Sequence, residues 1–468
     1  MFNHFRDRAP SLVVDPNDEE YGEALDNQNI EWQSDSVSHE QPAIRPPLIP
    51  QCVPIIENEE IIEESDPLLT TVILEEAKSS FAQSLFNSVN ILMGIGLLSL
   101  PFAFNITGWA VGLVLLIIFG LITHHTGRLL EKCLNYRPPN GKCAQTYGDL
   151  GQNAFGTTGR TVISILFFLE LIAASVALVI LTSDSVVAIF PELDLITVKC
   201  VMVLLVFPTT LPKSLSIASY GSLVGIIALV NLLAVLFYDG LSNYSSPGSL
   251  WTPAETSLLP LDWYPVPLAF GLLMAGFSGH SVFPNIYRDM QKPEEYPALL
   301  NYTYVIVMTL YILIAAAGYT MFGIDTKEEI SQNLPLVPTF NKLLNRITVM
   351  LISFNPVTKY PLSLSPINFQ LEQSVTLTKA TNVNRFVLCA ISSSAILAIA
   401  VKFPQFHTMM ALLGSLFSFT VSVTFPCMCY LVMYGKSISV FEYAIELLLI
   451  TIGIACGIVG TIWVYLSL

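Results

Sequence analysis

A chain of 468 residues that is 53% hydrophobic, only 12% charged and of net charge −15 is not an ordinary soluble domain, since those carry roughly 25% charged residues. Composition implies a polytopic membrane protein. The charge is local: residues 1–79 hold 18 Asp and Glu against Arg6, Arg8, Arg45 and Lys78, and the remaining chain is nearly balanced. Nothing here resembles the basic footprint of a nucleic-acid binder, so no nucleic-acid partner is expected.

The first 79 residues, acidic, proline-containing and poor in aromatics, bury too little apolar area to offset chain entropy and read as a disordered cytosolic tail. Within it Glu64-Ser65-Asp66-Pro67-Leu68-Leu69 fits an acidic dileucine sorting signal, with Glu64, Leu68 and Leu69 read by a sorting adaptor. An inert solubilising tail is the other reading. The N-terminus lacks an apolar signal-peptide core, so the first membrane helix is expected to act as an uncleaved signal. The eight cysteines are scattered without a CxxC and read as packing residues rather than metal ligands or disulfides.

About 20 apolar residues span a bilayer. On that rule eleven helices follow, at 81–104, 108–130, 160–181, 196–212, 217–238, 264–285, 298–321, 339–363, 384–402, 407–433 and 441–466. The polar stretch 146–156 is too short to span and reads as a cytosolic gate or interfacial helix. Lysine and arginine collect in the loops that are cytosolic when the N-terminus is cytosolic, which fixes that orientation. An odd number of spans then puts the C-terminus in the lumen. The lumenal loop 239–262 has no basic residue and carries Asn243-Tyr244-Ser245, making Asn243 the expected glycosylation site.

Two apolar segments are interrupted at matching places. Helix 1 carries Gly94-Ile95-Gly96, then Ser99 and Pro101; helix 6 carries Phe277-Ser278-Gly279-His280, closed by Pro284. Backbone groups freed in mid-bilayer find no partner in hydrocarbon, and a matched pair of interrupted helices marks a secondary transporter's substrate site. The breaks lie five helices apart, so 80–238 and 263–433 form two repeats, inverted because helix 1 enters from the cytosol and helix 6 from the lumen. Residues 434–468 add an eleventh helix outside the symmetry.

A half-helix N-terminus offers amides to a carboxylate, and the preceding C-terminal end offers carbonyls to an ammonium. An amino acid can therefore be held without a charged side chain. Gly94 and Gly96 are expected to permit unusual dihedrals and close approach of a ligand; packing through small residues is the competing explanation.

Three deep ionisable groups are functional candidates. His280, at the second break, could bind substrate, carry a coupling proton or hydrogen-bond the unwound backbone. Glu170, mid-way along helix 3, suits proton exchange or a tether to an unwound segment. Lys359, near the cytosolic end of helix 8, either snorkels to the interface or places its ammonium where a sodium ion would sit between helices 1 and 8. No Walker loop, GxSxG, HExxH or matched aspartate pair is present, so neither an enzyme nor a metal site is expected.

The segments Phe86-Asn87-Ser88-Val89-Asn90 and Met93-Gly94-Ile95-Gly96-Leu97-Leu98-Ser99-Leu100-Pro101 resemble the first-helix motif of the amino acid/auxin permease family. Tyr147-Gly148-Asp149 with Ala154-Phe155-Gly156 looks like its loop motif, and Gly279-His280-Ser281-Val282-Phe283-Pro284-Asn285 resembles the helix-6 motif of its vesicular GABA transporter-like branch. Within that branch the chain is most similar to fungal or plant vacuolar amino acid transporters of type 1, over about residues 80–466. The resemblance implies an all-α fold like that of the bacterial leucine transporter, with eleven transmembrane helices, a 5+5 inverted repeat, broken helices 1 and 6, and alternating access. It implies exchange of neutral amino acids for protons across the vacuolar membrane, with protons as the coupling ion and no cofactor. Carried over by motif, Asn90 and the segment Met93, Gly94, Ile95, Gly96 and Ser99 hold substrate, opposite Phe277, Ser278, Gly279 and His280. Sodium-coupled relatives use polar residues of helices 1 and 8, and Lys359 there favours protons. A sodium-coupled importer of the same fold, or an amino acid sensor signalling through a partner, are the alternatives.

Overall fold

The computed structural model describes residues 79–138, 143–211, 216–374 and 382–467, all within the compact unit Gln51–Leu468. The expected acidic tail and its sorting signal lie outside the described residues. Secondary structure here is helical, with one isolated bridge between Ser79 and Met290.

Helix α1 (Phe81–Leu92) opens with a reciprocal cap, the Ser80 hydroxyl accepting from the Gln83 amide and the Gln83 side chain accepting from the Ser80 amide. A short 3-10 turn (Ile95–Ser99) leads into α2 (Leu100–Leu134), which carries Pro101 in its first turn, where a missing amide costs nothing. The break expected at 105–107 falls instead at Gly108, a kink inside α2 at φ 68°. The loop Ser257–Leu258 crosses there: its carbonyls accept from the Trp109 and Ala110 amides at 3.1 and 2.9 Å. A Cβ at Gly108 would lie 2.8 Å from the Leu259 carbonyl carbon, so both the dihedral and the crossing require glycine.

Helix α3 (Tyr147–Ile189) takes in the polar stretch 146–156 as its own start, capped by Thr146 and Asp149 and bent at Gly156. There follow α4 (Leu195–Val206), α5 (Ser216–Ser242), α6 (Val266–Gly276), α7 (Phe283–Asp289), α8 (Tyr296–Phe322), α9 (Ile330–Asn333), α10 (Lys342–Ser374) and α11 (Asn382–Lys402). Then α12 (Phe406–Leu412) passes through a widened π segment (Leu413–Thr424) into α13 (Phe425–Tyr434), and α14 (Val440–Ser467) ends the chain.

Among the described residues seven helical stretches are long and apolar enough to cross a membrane: Ile95–Leu134, Tyr147–Ile189, Gly225–Ser242, Pro293–Asp325, Val383–Lys402, Phe406–Tyr434 and Val440–Leu466. The other four expected spans fall short for physical reasons. The first is interrupted after Leu92; Leu195–Thr210 and Val266–Gly276 are short; and α10 is diluted by Asn, Ser, Lys and three internal prolines.

Helix α14 meets the bundle along Gly453, Gly457 and Gly460, where added Cβ atoms would come within 2.6–3.0 Å of Thr424 and Ser415 atoms. Its other faces, with Leu448, Ile458 and Tyr465 exposed, are apolar. His125 of α2 reaches Glu446 of α14 at 2.8 Å.

One expectation is corrected: Cys143, read as a packing thiol, is disulfide-bonded. Asn243, the expected glycosylation site, is buried, and its amide nitrogen donates to the carbonyls of Ser245 (2.8 Å) and Pro247 (3.1 Å).

Candidate functional site

At the first interruption the chain leaves α1 at Leu92. Met93 donates back to Val89, Gly94 is extended at φ −83°, ψ −166°, and the 3-10 turn begins at Ile95. These dihedrals suit any residue, so the expected conformational need for glycine does not hold at Gly94. Its Cβ position is open, with nothing nearer than 3.8 Å. Gly96 is different: a Cβ there would lie 2.9 Å from the Gly276 nitrogen and 3.0 Å from Ala275 and Gly276 carbons. The first interruption thus packs backbone to backbone against the end of α6. Ser99 donates to the Gly96 carbonyl at 3.0 Å; buried Met93 caps α1 and Ile95 opens the turn.

The second interruption covers 277–282, between α6 and α7. Phe277 is fully buried between the rings of Tyr304 and Tyr311, with centroids 6.4 and 5.3 Å away. Ser278 donates to Glu170 Oε1 at 2.7 Å, which ties α3 to the interruption. The second oxygen of Glu170 is buried without a hydrogen bond. Gly279 leaves room for Ile91, whose Cγ2 lies 2.6 Å from where a Cβ would stand.

His280 is fully buried, its Nε2 2.9 Å from the Thr123 carbonyl and 3.1 Å from the Thr126 hydroxyl. Those partners belong to continuous helix α2, which passes directly behind the interruption. Thr126 in turn donates to the Ser422 carbonyl at 2.7 Å, in the π segment.

The residue that sequence reasoning missed is Tyr311 of α8. Fully buried, its hydroxyl lies 2.5 Å from the Leu92 carbonyl and 2.5 Å from that of Gly276. One side chain therefore joins the last residues of α1 and α6. In the sequence it is one more aromatic in an apolar helix.

A cleft of about 690 Å³ opens beside the interruptions, lined by Asn87, Asn90 and Ile91 of α1, Val282 of the second interruption, Asn285 of α7, and Gln145. Asn90 Oδ1 is buried there without a partner. Its floor is braced by Arg288, which donates to the carbonyls of Leu134 (2.9 Å) and Ala144 (2.5 Å). Backbone bonds of Ser79 to Asp289 (2.7 Å) and Gln291 (3.0 Å) pin the start of α1 to the end of α7.

Lys359 is not near a helix end: α10 runs on to Ser374, and Lys359 sits near its midpoint with Cε 3.4 Å from the Cβ position of Gly225 on α5. Its stem lies between α10 and α5.

At the far end of α3 a second polar group closes the bundle. His407 Nδ1 pairs with Glu328 at 2.7 Å, and α9 rests on the 3-10 turn and on α3. Burial acts to raise the Glu328 carboxyl, but the hydrogen bonds and charge of His407 hold it below its ordinary value. Burial pushes the neighbouring Glu329 carboxyl well above the usual range, with the charges of Asp184 and Glu328 adding to the effect.

Two solved structures superpose over most of the chain. MhsT in complex with L-phenylalanine covers 81% of this chain and 98% of its own, at 10% identity and TM-score 0.52. A closed conformation of Mhp1, a nucleobase-cation-symport-1 family transporter, covers 83% and 92%, also at 10% and 0.52. At that identity they show the fold alone, the leucine-transporter type of all-helical membrane architecture. In sequence, the chain is similar to the Arabidopsis thaliana amino acid transporters AVT1E (34% identical, 83% of this chain, 73% of the relative) and AVT1B (35%, 82% and 70%). These relatives are transporters, not enzymes. The family model for transmembrane amino acid transporter proteins matches residues 77–466, and the chain belongs to that family.

Proposed function

We propose that the chain exchanges neutral amino acids for protons across a vacuolar, lysosome-like membrane, loading the acidic lumen by alternating access. The observation that carries this reading is the meeting of both helix interruptions at one place, Gly96 against Gly276, with the Glu170 carboxyl bonded to Ser278 beside them. An amino acid has one anionic and one cationic end, and two interrupted helices supply amides and carbonyls for both. Substrate is held by Asn90, Met93, Gly94, Ile95, Gly96 and Ser99 on one side and Phe277, Ser278, Gly279 and His280 on the other. Glu170, with one buried oxygen free of partners, is the first coupling candidate, ahead of His280 and Lys359.

The topology that accompanies this function has eleven spans. The seven long helices, the first of them taken from its kink at Gly108 onward, are joined by the interrupted pair α1 with 95–104 and α6 with α7, by Leu195–Thr210 and by α10. Residues 80–238 and 263–433 are inverted repeats, the N-terminus and its adaptor-read dileucine are cytosolic, and the C-terminus is lumenal. Purified protein in sodium-free proteoliposomes tests the reading: radiolabelled neutral amino acids should enter only when the lumen is acid, and a protonophore should stop them. Uptake that needs sodium and ignores the pH gradient would replace the antiporter with an importer.

A further inference from the structure

We propose that the Tyr311 hydroxyl is an internal competitor for the substrate's ammonium group, occupying the Leu92 and Gly276 carbonyls that an entering α-amino group takes over. The proposal rests on the reading of the interruptions as the substrate site and deepens it. Leu92 and Gly276 end α1 and α6, so their carbonyls lie at the negative ends of the two half-helices. Both oxygens lie 2.5 Å from one atom, the Tyr311 hydroxyl oxygen, and so converge on a single point. A phenol has one proton for the two acceptors, whereas an ammonium has three and carries charge. An amino group is therefore the better partner for this pair.

Tyr311 cannot leave for solvent. It is fully buried, its ring packs tilted against Phe277 with centroids 5.3 Å apart, and it fills the space left by the missing side chain of Gly276, whose Cβ would meet the ring at 3.0 Å. Until a ligand bearing an amine arrives, its hydroxyl shares one proton between the two carbonyls, of which that of Leu92 also accepts from the Gly94 amide at 2.7 Å; on arrival it yields by a small withdrawal along α8. A ligand lacking the amine gains nothing from displacing it.

The test is equilibrium binding to the purified full-length protein, wild type and Y311F, using L-alanine, L-leucine, L-phenylalanine and their 2-hydroxy acid counterparts. Removing the competitor should lower the Kd for the amino acids roughly two- to tenfold, the range set by one net hydrogen bond, and leave the hydroxy acids unchanged. Y311M, also without a donor but able to fill the space flexibly, gives the same comparison if Y311F does not accumulate. Wild-type binding with an unchanged or raised Kd in the variants overturns the competitor role alone. Absence of amino acid binding in every form overturns the substrate-site reading and this proposal with it.

Discussion

Gly96→Ala and Gly94→Ala separate packing from binding at the first interruption. At Gly96 the new methyl would stand 2.9 Å from the Gly276 nitrogen and 3.0 Å from Ala275 C and Gly276 Cα, against an ordinary contact of 3.4 Å or more. All three atoms are backbone, so no side chain can swing aside, and α6 must retreat by several tenths of an ångström. Overpacking of this kind costs about 1–3 kcal/mol, roughly a 5- to 150-fold shift in the folding equilibrium. At Gly94 the nearest atoms are 3.8 and 3.9 Å away and the backbone is ordinary extended chain. Stability there should stay within about 0.5 kcal/mol of wild type. Thermal melting of the detergent-solubilised proteins, followed by fluorescence-detected gel filtration, reads the difference. Equal melting of G96A and wild type would refute the close-packing argument, and equal loss in both variants would refute its assignment to Gly96.

Glu170 can be split into tether and proton carrier, because E170Q keeps an acceptor for Ser278 while S278A keeps the carboxyl. E170Q should fold with near wild-type stability and lose the dependence of uptake on the pH gradient. S278A should melt earlier by the equivalent of about 1–3 kcal/mol, the cost of a buried acceptor left unsatisfied, yet keep pH-driven uptake. Identical phenotypes would leave Glu170 with one role only, the tether. A pH effect is expected at the Glu328–His407 pair: a carboxyl held below its ordinary value stabilises the fold above that value and loses the contribution as pH falls through the lowered one. Melting temperature should therefore decline at strongly acid pH in the wild type and show a shallower decline in E328Q; parallel curves would contradict the assignment.

Much of the architecture is written in local pattern. Long apolar runs mark the continuous helices, and α6 ends at Gly276 with α7 beginning at Phe283, beside the glycine and Pro284 that the pattern singles out. What depends on pairing across the chain is not written there. Tyr311 meets Leu92 from 219 residues away and Ser278 meets Glu170 from 108, and a tyrosine or glutamate within an apolar run carries no sign of its partner. Gly94 and Gly96 look alike in sequence, yet one faces open space and the other a neighbouring backbone, a difference set by where α6 lies. A span of 339–363, set by apolar length, puts Lys359 near a helix end. Here Pro356, Pro361 and Pro366 all lie inside α10, and the lysine falls at mid-helix. The π widening of 413–424 likewise has no local signature; it sits where Gly414 meets the backbone of Gly271 on α6.

The most direct test of the account is to watch protons leave as amino acids enter. Acid-loaded, sodium-free proteoliposomes containing a pH-sensitive dye would receive neutral amino acids from outside. Exchange predicts alkalinisation of the lumen that tracks amino acid entry, saturates with substrate and vanishes in E170Q. Amino acid entry with no change in lumenal pH would contradict proton antiport.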